Sequence, residues 1–431
     1  MSENEKKKIL VVDDSALMRR VICDIINSDR RFQVVAKAVD GVEAFDLMSR
    51  ESYDAVVLDI NMPRMNGIEV LRELRKYKIK ARIMIASTDS KEGASVTMDA
   101  LELGALDFIQ KPGTSFECRN EAFTREFLDT LYAVSIARME PVSISGPAPK
   151  RLEVNIGKPD LGRQEPKQDG LKKTEPRQDI LAGRQREVKK PEVPAGTPTG
   201  AKPTESRPKV QIPTKPISTP TVNVRPIQAS QGGRKVVAIA SSTGGPRALQ
   251  SLIPKLPKGI DAPILLVQHM PKGFTASLAE RLDNISEVTV KEAREGEILE
   301  KGTVYVAMGG QHFNIRLNNN GSHSVHYTDE PTREGVKPCA NYMYESLIDS
   351  KFTDILCVVM TGMGADGTEG IINLKNGCMT SSKGKNISVL TQNQSSCVVY
   401  GMPKSAVQAG LSDAEVELEG MAVKIADWAG R

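Results

Sequence analysis

Over the first 130 positions, apolar residues fall into short runs separated by stretches in which they recur every three or four residues. KILVVDD, VVAKAV, AVVLDI, ARIMIAS and LDFIQKP are five such runs, rich in Val and Ile, and each reads as a strand. Between the first two, Met18, Val21, Ile22 and Ile25 stand at i, i+3, i+4 and i+7, the spacing of one helix face. Strand and helix in alternation predict a parallel sheet covered by helices on both faces. In such a sheet, functional groups collect outside the carboxyl ends of the strands.

The rhythm stops and later resumes. KVVAIAS leads into a helix expected near Pro246, PILLVQHM into one near Phe274, and ILCVVMTGMG into one near Thr368, with a more strand-like middle from Val288 to Tyr327. The expected fold is therefore α/β throughout. An N-terminal doubly wound, five-stranded parallel domain spans residues 7–130, a long disordered linker spans 136–233, and a C-terminal α/β domain with a mostly parallel sheet spans 234–426. The linker assignment rests on composition. From Pro141 to Arg234 the chain holds 15 of its 25 prolines and no Phe, Tyr or Trp, too little apolar surface to offset chain entropy.

Charge changes the picture mainly by its location. The net charge is +4, yet the Pro141–Arg234 segment alone has 18 Lys and Arg against 9 Asp and Glu, so the rest of the chain is net negative. A DNA-binding output domain is disfavoured, because no helix-turn-helix pattern follows the first domain and the last domain is not basic. The basic segment reads as a solvated spacer, since its charges are scattered among acids and prolines. No run approaches the roughly 18 apolar residues of a membrane span. The first apolar stretch ends at Asp13 and Asp14, which argues against a secretory signal. Six cysteines without CxxC spacing suit a reduced, cytoplasmic protein.

Two strand-end clusters carry chemistry. Asp13 and Asp14 close the first strand, Asp59 ends the third, Ser87 the fourth and Lys111 the fifth. Crowded carboxylates repel, and a hard cation such as Mg²⁺ relieves that with oxygen ligands. A carboxylate held in line beside Mg²⁺ can attack a phosphoryl group, whose oxygens Lys111 would neutralise and Ser87 could follow. Paired aspartates also serve as turn or cap residues, so Asp13 and Asp14 alone leave both readings open.

In the second cluster, Ser241 and Ser242 end a strand before Gly244, Gly245 and Pro246, next to an expected helix N-terminus that favours a developing oxyanion. His269 ends the next apolar run and could act as base. Asp366, in a glycine-rich turn after a further buried run, could orient it. The order Ser, His, Asp and the absence of GxSxG separate this set from the α/β-hydrolases. A phosphate-binding turn, a structural histidine and a capping aspartate remain open alternatives.

VVDDS, LDINMPRMNG, the Ser87 strand end and DFIQKP together resemble a response-regulator receiver domain. That resemblance implies phosphorylation of Asp59 by a partner histidine kinase. It also implies Mg²⁺ held by Asp13, Asp14 and Asp59 with the backbone carbonyl of Asn61, switch residues Ser87, Phe108 and Lys111, and a cis bond before Pro112. ASSTGG, QHMPKGFTASLAERL, TGMGADGTEG and SSCVVYGMPKSA resemble the chemotaxis protein-glutamate methylesterase family, CheB. By that likeness Ser242 is the nucleophile, His269 the base, Asp366 the orienting acid and Met363 a source of oxyanion-binding amide, with Ser241 the second choice of nucleophile.

The implied activity is hydrolysis of γ-glutamyl methyl esters on methyl-accepting chemotaxis receptors, with deamidation of receptor glutamines. The esterase reaction is expected to need no cofactor, and no nucleic acid partner or stable membrane insertion is expected. The protein would be cytoplasmic and recruited to membrane receptor arrays, with the unphosphorylated receiver packed over the active site. The tether is longer than the family's usual linker, which implies weaker basal inhibition. Departures from the family pattern fall at His312-Phe313 and Pro338-Cys339-Ala340-Asn341. A domain that binds receptors without hydrolysis is the alternative.

Overall fold

The strand-end aspartates and the helices between them are arranged as the alternation predicts. The structure is a computed structural model, and it describes residues 5–88, 91–112, 117–139, 227–230, 232–380 and 384–430. The first domain runs β1 (Lys7–Val12), α1 (Ala16–Ser28), β2 (Phe32–Ala38), α2 (Gly41–Arg50), β3 (Ala55–Asp59), α3 (Gly67–Lys76), β4 (Ile83–Thr88), α4 (Lys91–Leu103), β5 (Asp107–Lys111) and α5 (Glu121–Ile136). Its five strands lie in the order β2-β1-β3-β4-β5, all parallel. Local chemistry sets the helix starts. The Ser15 hydroxyl caps α1, the Asp40 carboxylate caps α2, and Asn66 with Glu69 forms a reciprocal capping box on α3. The central β3, AVVLD, is buried along its whole length.

The second domain holds β6 (Lys235–Ser241), α6 (Gly245–Leu252), β7 (Ile264–Gln268), α7 (Phe274–Asn284), β8 (Thr289–Glu292), β9 (Thr303–Val306), β10 (His312–Leu317) and β11 (His323–Thr328). It continues with α8 (Ala340–Ser346), β12 (Asp354–Val359), α9 (Thr368–Thr380), β13 (Asn386–Gln392), α10 (Met402–Gln408), β14 (Ala414–Val416) and α11 (Leu418–Ala429). Seven of these strands form one parallel sheet in the order β14-β13-β12-β6-β7-β9-β8. The strand-rich middle supplies β8 and β9 to that sheet and folds β10 and β11 into a separate antiparallel hairpin. Strands β6 and β12 are central and almost wholly buried, as their continuous Val, Ile and Ala runs require.

Most of the expected tether, residues 140–226, lies outside the described residues. At its ends, α5 continues to Ile136, and Ser230 donates from its N–H and hydroxyl to Asp354 Oδ1 at the edge of the second domain. All six cysteines are buried and free. Among the described residues no helix is long and apolar enough to cross a membrane.

Both domains belong to one compact unit, and they meet face to face. Phe108 of β5 stacks on Phe274 at the start of α7, with ring centroids 4.5 Å apart and planes at 29°. Arg281 of α7 donates to Asp99 Oδ1 at 2.8 Å and from Nε to Glu102 Oε1 at 2.9 Å, pairing with two acids of α4. The backbone N–H of Arg138 donates to the Val398 carbonyl at 2.9 Å.

Candidate functional site

Sheet order explains the acid cluster. Strands β1 and β3 are neighbours, so the residues that end them, Asp13 and Asp59, come together, and Asp14 joins them. The carboxylate oxygens of the three lie within 4.8 Å of one another. Lys111, at the far edge of the sheet, reaches back to place Nζ 2.8 Å from Asp59 Oδ2 and 3.1 Å from Asp13 Oδ2. Burial alone would lower the Lys111 ammonium, but the Asp59 and Asp13 charges outweigh it and hold it above the usual lysine range. Burial pushes Asp59 up, against the opposing pull of Lys111. A set of hard oxygen donors with one buried counter-charge suits Mg²⁺.

Asn61 lies on the exposed loop two residues beyond Asp59. Ser87 is buried, and its hydroxyl accepts from Thr97 Oγ1 at 2.7 Å. The cis peptide bond among the described residues is Lys337–Pro338. The Lys111–Pro112 bond is therefore not cis, contrary to what the receiver resemblance implied.

The second cluster forms where β6, β7 and β12 end side by side. In the β6–β7 register Ser241 faces Gln268, so Ser242 and His269 follow one step beyond the paired strands. Gly244 takes a left-handed backbone at the N-terminus of α6, with φ at 77°. Close approach also requires glycine at 362, where a Cβ would stand 2.7 Å from that of Ser242. His269 Nε2–H donates to Asp366 Oδ2 at 2.7 Å. Burial alone would raise Asp366, yet the hydrogen bond and charge of His269, with further donors, hold it below the usual carboxylate range. No hydrogen bond joins Ser242 to His269 among the described residues. The pair that forms is therefore His269 with Asp366, with Ser242 at the adjoining strand end.

Ser241 is excluded as nucleophile. Its side chain is wholly buried and donates to Gln268 Oε1 at 2.7 Å. Strand alternation is the cause, because successive side chains point to opposite faces. Gln268 went unnoticed in the sequence, although it supports both neighbours: its Nε2 donates to the Ser242 carbonyl at 3.0 Å and to the His269 carbonyl at 3.1 Å. The one available signal was a single amide ending an otherwise apolar strand. Of the amides near Ser242, its own N–H is committed to the Thr361 carbonyl and that of Gly362 to Val399. Met363 N–H has no acceptor among the described residues, which leaves it open to an oxyanion.

Asp107 was a second unnoticed residue. It opens β5, its carboxylate accepts from the Phe108 N–H at 2.9 Å, and it lies close enough to Thr243 and His269 for both to pull its pKa down. Burial at this contact pushes its pKa from 3.8 up to about 6, against those two favourable partners. The first domain thus sets a carboxylate near Thr243 and His269 and stacks an aromatic ring on Phe274, at the start of the helix that follows His269.

Comparison with known proteins places this architecture among others. A family model described as CheB methylesterase matches residues 237–425, and one described as response regulator receiver domain matches residues 9–121. The protein-glutamate methylesterase/protein-glutamine glutaminase of Bacillus subtilis (strain 168) is 36% identical over 423 residues, 97% of each chain. A protein of the same name from Pyrococcus abyssi (strain GE5 / Orsay) is 35% identical over 416 residues, covering 96% of this chain and 91% of that one. Among solved structures, the Thermotoga maritima CheB methylesterase catalytic domain is 39% identical with a TM-score of 0.41, covering 44% of this chain and 97% of that one.

Proposed function

The chain belongs to the CheB methylesterase family, carrying a receiver domain ahead of its catalytic domain, and from that premise we propose how its own residues work. It hydrolyses γ-glutamyl methyl esters on methyl-accepting chemotaxis receptors, releasing methanol, and deamidates receptor glutamines, which serves chemotactic adaptation. Ser242 Oγ attacks the ester carbonyl while His269 accepts its proton. Because Asp366 takes Nε2 of the ring, Nδ1 is the nitrogen that serves as base. The oxyanion is met by the Met363 N–H. His269 returns the proton to the departing methoxide, giving methanol and an acyl-enzyme. Water, activated by the same imidazole, then releases glutamate and restores the serine. With an amide substrate the leaving group is ammonia.

The observation that carries this reading is the 2.7 Å His269–Asp366 pair at the strand end adjoining Ser242. Binding without hydrolysis has no observation in its favour.

Control resides in the receiver. A histidine kinase is the phosphodonor to Asp59, and Asp13, Asp14, Asp59 and the Asn61 carbonyl would hold Mg²⁺ beside the phosphoryl group. Mg²⁺ supplies charge neutralisation for the phosphoryl group there. Lys111 neutralises the remaining charge, while Ser87 and Phe108 report the change. Phe108 is the residue that stacks on Phe274, so any movement of the switch acts on the contact between domains. In the unphosphorylated protein, Asp107 and Phe108 cover the catalytic strand ends. The protein acts in the cytoplasm, at membrane receptor arrays.

The test is methanol release from methylated receptor membranes by the full chain, with and without a small-molecule phosphodonor. Release that rises with phosphodonor is expected, and its complete absence under both conditions would refute the reading. Ser242→Ala should abolish release. Ser241→Ala should keep it while losing stability, since a buried acceptor left unpaired costs about 1–3 kcal/mol.

A further inference from the structure

The carboxylate of Asp366 is 2% exposed and saturated with donors. Oδ1 accepts from Gly367 N–H at 2.8 Å, Asn341 N–H at 3.0 Å and the Cys339 thiol at 3.0 Å. Oδ2 accepts from Ala340 N–H at 2.6 Å and His269 at 2.7 Å. Three of the five are backbone amides that no substitution removes. Apart from His269, Cys339 is the one side chain among the described residues that donates to this carboxylate.

The turn bearing Cys339 is itself anchored. Asn341 Oδ1 accepts from Gly367 N–H at 3.0 Å and Gly370 N–H at 2.6 Å, which ties the start of α8 to the first turn of α9. Packing at that junction is tight enough that a Cβ on Gly370 would fall 2.5 Å from the Asn341 Cα. A buried free cysteine usually acts as a small hydrophobe, and Cys357 in the middle of β12 has that setting. Cys339 differs, because its sulfur is aimed at an ionised oxygen.

We propose that Cys339 is a positioning residue of the hydrolytic site, whose S–H bond to Asp366 fixes the carboxylate for His269 and draws negative charge away from Oδ2. The inference rests on the triad reading given above. Burial, followed by the negative charge of Asp366, drives the Cys339 thiol far above the usual thiol range, so it stays protonated and remains a donor throughout the working pH range. Cys339 has no exposed surface and cannot touch substrate, so its effect should fall on kcat and not on KM.

The test uses full-length Cys339→Ala, Cys339→Val and Cys339→Ser, with phosphodonor present, and follows methanol release against pH. Without the donor, the carboxylate turns more freely and holds the imidazolium more tightly. Cys339→Ala should therefore lose roughly fivefold in kcat at unchanged KM, about 1 kcal/mol of transition-state stabilisation. Its acid limb of kcat/KM should move up by about half a pH unit. Cys339→Val, which keeps the bulk, should behave like Cys339→Ala even if the smaller variant folds poorly. Cys339→Ser, which keeps a donor, should restore both the rate and the acid limb. The proposal is overturned if Cys339→Val matches wild type, or if Cys339→Ser is as impaired as the donorless variants, since packing alone would then explain the site. The wild-type assay run alongside separates the two levels, because absence of methanol from wild type fails the hydrolase reading itself.

Discussion

Asp107 makes the grip of the receiver on the catalytic domain dependent on pH. Its pKa in the closed arrangement is about 6, against 3.8 for a carboxylate in water, with burial the leading cause. A carboxylate whose pKa is raised by docking favours the docked state when protonated. The stabilisation is complete below pH 3.8 and is lost as pH rises through about 6. At about 1.36 kcal/mol per pH unit, the difference sets an upper limit of about 3 kcal/mol. Asp107 retains some solvent contact, which brings the figure nearer to about 1–2 kcal/mol, or roughly 5- to 30-fold in the docking equilibrium. The assay is methanol release at pH 5 to 8, taken as the ratio of activity without phosphodonor to activity at saturating phosphodonor, so that pH effects on the hydrolytic step itself cancel. For wild type the ratio should climb as pH passes 6. Asp107→Asn should flatten the climb and leave the ratio at pH 7.5 lower than wild type, because a neutral amide is docked without desolvating a charge. A flat wild-type ratio, or an Asn variant that climbs equally, would refute the reasoning.

Other predictions concern the same two surfaces. Arg281→Glu places a third acid against Asp99 and Glu102, and Phe108→Ala removes the stack on Phe274. Each should raise activity without phosphodonor severalfold and leave the phosphorylated rate near wild type, with the Arg281→Glu effect shrinking as salt is added. Asp59→Asn should abolish the response to phosphodonor while sparing basal release. Chelation of Mg²⁺ should reproduce that loss in wild type without lowering basal activity, and a fall in basal release on chelation would show a metal requirement in the esterase site.

Much of the architecture was written in local periodicity. Runs such as AVVLD and KVVAIAS became buried central strands, because short continuous apolar runs rich in β-branched residues suit a strand covered on both faces. The acid cluster was legible for a similar reason, since a parallel sheet delivers strand-end residues to one edge whichever helices intervene. Strand β13 and helix α11 escaped notice, although NISVLTQ alternates weakly and LEGMAVKIADWA buries a helical face. Neither carries a reactive residue at its end.

Other features depended on contacts between distant positions, about which local pattern is silent. Ser241 and Ser242 are chemically identical neighbours, and only the pleat of β6 against β7 decided which one turns into the core to meet Gln268. Cys339 stood out in sequence only as a departure from a familiar motif, and its role emerged when the turn folded back onto Asp366, 27 positions later. Asp107 and Phe108 lie more than 130 positions from Thr243 and Phe274, so no periodicity links them. The sequence by itself determined which elements form and which reactive groups stand at their ends, because burial and backbone preference act over a few residues. The tertiary structure decided which groups meet and which domain covers them, because those choices follow from sheet order and from how two separately folded surfaces fit.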